Sequence, residues 1–95
     1  MYDRILKQMR DKVRLRQYVM TVHAEEEMDE DGLSIFDVES GILTGVIVER
    51  QRDRFKQEWK YLVQGETVDG NRVIVVVGKF GYAGKLVILT VYAET

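Results

Sequence analysis

Two stretches, NRVIVVVG (71–78) and LVILTVYA (86–93), constrain the fold more than anything else in this 95-residue chain. Each is an apolar run of strand length, rich in β-branched residues and without polar alternation. The first run, NRVIVVVG, predicts a strand inside a sheet with both faces covered, and the second an equally apolar last strand. Neither approaches the roughly 20 apolar residues that span a bilayer, so the expectation is a cytoplasmic protein with no membrane partner. Between them KFGYAGK (79–85) reads as a glycine-punctuated loop.

Two more strands precede these, VIVER (46–50) and EWKYLVQGETV (58–68), joined by QRDRFKQ. Trp59, Tyr61 and Val63 share one face of the second by strand periodicity. Gly65 is expected to mark a bulge, and Asp69-Gly70 suits a tight hairpin because both residues tolerate positive φ.

The first half is helical in pattern. Residues 2–15 repeat apolar side chains at Ile5, Leu6, Met9 and Val13, a stripe thin enough either to pack loosely or to cover a partner. QYVMTV (17–22) alternates as a short strand. His23–Glu30 reads as a helix with Ala24 and Met28 toward the core and Gly32 as its left-handed end. Ser34 and Asp37 have capping-box spacing ahead of a helix with the stripe Ile35, Val38 and Ile42, and Gly45 is its expected C′ residue. One helix, one strand, two helices and four strands predict a single α+β domain over 1–95. Its N-terminal helices would pack on one side of a mostly antiparallel, twisted sheet of about four to five strands, with 1–16 as the first helix and 17–93 as the remainder.

The net charge of −2 hides an asymmetry. Residues 1–16 carry +4, residues 23–40 carry eight acids and no base, and residues 49–60 carry five bases against three acids. The common reading is solvated faces; the functional one is a basic stripe that meets phosphate. With no cysteine, disulfides and thiolate metal sites are excluded.

His23 is the only histidine. It begins an acidic helix, and three roles stand open: proton transfer, metal ligation, or capping and packing where strand meets helix, the commonest of the three. With Glu26 or Glu27 it supplies two ligands, too few for zinc, so no metal or other cofactor is expected. Ser34 and Ser40 lack a nucleophile elbow, and GKFGYAG lacks the ending of a phosphate loop. RNA remains. Cleavage without metal needs cations to stabilise charge at phosphorus and a group to move protons. His23, Lys60 and Tyr92 are the catalytic candidates, and Arg50, Arg52, Arg72, Lys79 and Tyr82 the RNA-binding ones, with Arg54 and Lys56 as further loop cations. Trp59, Tyr61 and Tyr82 are candidate stacking platforms.

His23-Ala24, Met28, Gly32-Leu33-Ser34, Asp37-Val38, Asp69-Gly70 and Thr90-Val91-Tyr92, in this order and spacing, resemble the bacterial domain of unknown function 4258 family over residues 17–93. That family is similar in layout to the RelE-like and BrnT-like toxins of toxin–antitoxin pairs. The resemblance implies a metal-independent endoribonuclease acting on RNA, free or on the ribosome, silenced by a cognate antitoxin of the zinc-finger YgiT type, and a possible homodimer. The alternative is a non-catalytic protein-binding module. The chain departs from the family pattern at Glu27 and Asp31, where arginines are usual, which would weaken phosphate binding on that face.

Overall fold

The computed structural model describes residues 2–53 and 55–94, with the Tyr82 side chain also outside the description. The elements are α1 (Asp3–Arg14), β1 (Tyr18–Met20), α2 (Val22–Glu30), α3 (Ile35–Thr44), β2 (Val46–Arg52), β3 (Trp59–Glu66), β4 (Val73–Phe80) and β5 (Leu86–Glu94). The five strands form one sheet in the order β1-β5-β4-β3-β2. β1 runs parallel to β5 and every other pair is antiparallel. The helices lie against one face, as the α+β pattern predicts.

The core forms where those helices meet the sheet. Met9, Val38, Ile42, Val63, Ile74, Val76, Leu86, Ile88 and Val91 are fully buried there, each side chain stabilising the fold by roughly 1.5–3 kcal/mol. The apolar stripe of α1 is filled from within the chain, since Leu6, Met9 and Val13 join this core. Arg10 ties α1 to α3: its Nη2 donates to the Gly45 carbonyl at 2.7 Å and its Nε to the Ile42 carbonyl at 3.3 Å. The unpaired carbonyls at the end of α3 are thereby satisfied.

Helix starts follow local chemistry. Thr21 caps α2 by accepting the Ala24 N–H at 3.1 Å, so the expected strand of 17–22 ends at Met20. Ser34 and Asp37 form the capping box of α3, and Gly32 takes φ +66° as expected. Gly45 differs from expectation. Its backbone is extended, and it is glycine because a Cβ would meet the Gln64 carbonyl oxygen at 2.6 Å. Gly65 marks no bulge; a Cβ there would fall on the Gly41 carbonyl, so this pair lets α3 cross β3 at backbone distance. The register break of the β2–β3 pair lies between Ile47 and Glu49 instead.

The turn before β4 spans residues 67–72 and is not a two-residue hairpin. Thr67 N–H donates to the Arg72 carbonyl at 3.0 Å, and only Gly70 takes positive φ. The expectation for β4 also needs correction. Ile74 and Val76 face the helices, whereas Val75 and Val77 are buried on the opposite face outside the core cluster. Among the described residues no helix covers them. Strand neighbours do: Leu62 and Thr90 flank Val77, Tyr92 and Gln64 flank Val75, and Gln64 Nε2 reaches across β4 to Glu94 Oε2 at 3.2 Å.

Candidate nucleic-acid interface

The 53–58 turn projects from the β2–β3 end of the sheet. Asp53 organises it, its Oδ1 accepting the Phe55 N–H at 2.8 Å and the Lys56 N–H at 3.1 Å. The Lys56 and then the Phe55 N–H hold this carboxyl below the usual carboxylate range. The Asp53 N–H donates to the Glu58 carbonyl at 2.8 Å, extending the β2–β3 pairing to the base of the turn.

Strand alternation puts a guanidinium-rich surface on the helix side of this end. Arg50 pairs with Tyr61, and Arg52 with Trp59. The Arg50 guanidinium lies 3.9 Å from the centroid of Trp59 and 5.6 Å from that of Tyr2, and Arg52 lies 5.3 Å from Trp59. Arg52 Nη2 also donates to Gln57 Oε1 at 2.6 Å. Cation–π contact holds the two arginines in place while leaving both residues exposed. Trp59 therefore serves as a platform for arginine. Tyr61 is 7% exposed and meets Tyr2 edge-on, so it is a core ring and offers no stacking surface to a base.

On the other face, the same end opens into a cleft of about 250 Å³. Lys60 enters it from β3 and Lys79 from β4, with Lys56 and Asp53 at the turn and Leu89 as an apolar wall. Lys79 Nζ contacts Glu58 Oε2 at 2.6 Å. Five of the cations singled out in the sequence (Arg50, Arg52, Lys56, Lys60 and Lys79) thus gather at one end of the sheet.

The others lie elsewhere. Tyr92 shares the open face with Lys60 but pairs with Val75, which in turn pairs with Gln64. Gln64 is four residues along β3 from Lys60, roughly 13 Å at strand rise. Arg72 sits in the 67–72 turn and donates from Nη1 to the Asp31 carbonyl at 2.9 Å, capping the end of α2. His23 is exposed at the start of α2, its Nε2 3.1 Å from Glu27 Oε1. Arg54 and the Tyr82 ring fall outside the described residues. Among the described residues, no group of three His, Cys, Asp or Glu side chains is placed to hold a metal ion.

Glu27 and Asp31 have a structural role that spacing does not reveal. β1 covers only Leu86–Ile88 of the β5 edge. Beyond it, Glu27 Oε1 accepts the Val91 N–H at 3.3 Å and Asp31 Oδ2 the Ala93 N–H at 2.9 Å. Two carboxylates of α2 thereby satisfy an edge that no strand pairs with.

The chain belongs to the family described as Domain of unknown function (DUF4258), whose profile matches residues 20–93. The match runs from the last residue of β1 through α2 into β5 and leaves α1 outside it. No curated protein and no solved structure matches the chain.

Proposed function

We propose that this protein binds single-stranded RNA at the β2–β3 end of its sheet and cleaves it with its own side chains, as the toxin of a toxin–antitoxin pair. The observation that carries the reading is the convergence there of Arg50, Arg52, Lys60 and Lys79, with Lys56 beside them. Cations on both faces of one sheet end suit a backbone that wraps around it. Lys60, inside the cleft, is placed to stabilise charge developing at phosphorus. The toxin role extends the sequence resemblance, and an antitoxin covering this end would silence it.

Induced expression with total RNA resolved on a gel tests the proposal. Wild type is expected to arrest growth and yield new RNA fragments, and Lys60→Ala to do neither while accumulating as folded protein. Normal growth with intact RNA under wild-type induction would refute it. The binding-module alternative has one observation in its favour: β2 is an edge strand, with Val46 and Val48 more than half exposed, to which an extended peptide can add. Normal growth would put that reading first.

A further inference from the structure

Resting on the endoribonuclease reading, we infer that Glu58 takes the proton from the attacking ribose 2′-hydroxyl, and that Lys79 positions it. The cleft holds two carboxylates, Asp53 and Glu58. Asp53 is committed to the turn by its two backbone N–H donors, which stabilise its ionised form and leave it a poor proton acceptor. Glu58 has a different environment. Its side chain is 44% exposed to the cleft and is held by the Lys79 ammonium at 2.6 Å, on a side chain that is itself only 20% exposed. Lys79 thus anchors the carboxylate from the neighbouring strand and fixes its position in the cleft.

Glu58 and Lys60 are two residues apart on a segment whose strand pairing continues through the Glu58 carbonyl. Residues so spaced point to the same face about 7 Å apart. That separation accommodates a phosphodiester between them, with the 2′-oxygen toward one group and the 5′-oxygen toward the other. In the step, Glu58 accepts the 2′-hydroxyl proton and the 2′-oxygen attacks the adjacent phosphorus. The P–O5′ bond breaks, and the Lys60 ammonium protonates the departing 5′-oxygen. The products are a 2′,3′-cyclic phosphate and a 5′-hydroxyl. Solvent then carries the Glu58 proton back to Lys60, and no redox partner is needed.

The test uses the purified protein with a single-stranded RNA covering all dinucleotide steps, free in EDTA and, in a separate reaction with Mg²⁺, on translating ribosomes. A fully 2′-deoxy oligonucleotide of the same sequence serves as the binding probe. Wild type is expected to leave 2′,3′-cyclic phosphate ends. Glu58→Gln should lose about 10²–10³-fold in cleavage rate, with the affinity for the 2′-deoxy probe and the Tm unchanged, and should lose the acid limb of the pH–rate profile. Lys79→Met should slow cleavage and Lys79→Arg restore much of it, a rescue that a purely structural lysine would not show in kcat at constant Tm. Glu58→Gln cutting within about 3-fold of wild type, or losing probe binding and rate together, would overturn the inference while leaving the nuclease reading in place. A wild type that cuts neither substrate would overturn that reading, and the inference with it.

Discussion

At the scale of single residues, carboxylates organise the chain by accepting backbone N–H groups. Asp37 accepts from Ser34 and from Val68, each at 3.0 Å, so one side chain caps α3 and anchors the turn after β3. Those two bonds, Ser34 first, hold its carboxyl below the usual range. Asp69 is held low by the Asn71 N–H and then the Thr67 hydroxyl. A depressed folded-state value stabilises the fold above the ordinary carboxylate pKa of about 4, and the contribution is lost as pH falls below it. The urea midpoint should therefore drop below about pH 4. Asp37→Asn should cost about 1 kcal/mol at neutral pH and make that acid-side fall shallower. Tyr18 works in the opposite sense. Burial, then its bond to Glu39, pushes its phenol up to about 12. Its stabilisation is present below about pH 10 and lost as pH rises toward 12, so Tyr18→Phe should flatten the alkaline decline of the urea midpoint.

These residues also mark what could be read in advance. The Ser34–Asp37 box was legible because both halves lie within one helical turn. Glu27 and Asp31 read as solvated acids because their partners, Val91 and Ala93, lie 64 and 62 residues away. Arg10 read as part of a basic stripe, although it caps a helix 32 to 35 residues distant.

At the scale of elements, close approach governs. α3 crosses β3 through Gly41 and Gly65, and neither backbone can move without breaking the sheet or the helix. Gly65→Ala should therefore destabilise at the upper end of the roughly 1–3 kcal/mol typical of overpacking, seen as a lower urea midpoint at constant m-value. The clasp of α2 on β5 is the other inter-element device. Removing both carboxylates (Glu27→Ala with Asp31→Ala) leaves two N–H groups without acceptors, at about 1–3 kcal/mol each. It also exposes a pairing edge. Light scattering on heating should show aggregation at a lower temperature than wild type. Element order and type were legible from periodicity. The crossing glycines and the open face of β4 were not, since both depend on which elements meet. The run IVVV looks doubly covered in sequence because Leu62, Gln64, Thr90 and Tyr92 shield one face laterally, which no single-strand pattern encodes.

At the scale of the whole molecule, folding sorts the charged residues into two groups. Arg10, Arg72, Glu27 and Asp31 hold helices to one another and to the sheet. Arg50, Arg52, Lys56, Lys60 and Lys79 collect at one end. The sequence identified all five of the second group but spread the site over the chain, because a list of cations does not show which strands adjoin or which face each residue takes. RNA binding is proposed for this end, and Trp59, the only tryptophan in the chain, sits within it. The most direct measurement is titration of its fluorescence with single-stranded RNA at several salt concentrations, for wild type and Lys60→Ala. A saturable change in emission is expected, with an affinity that falls as salt rises and weakens about 10-fold in the variant, the equivalent of roughly 1.4 kcal/mol. Unchanged Trp59 emission at low salt, or equal affinity in wild type and variant, would contradict the proposal.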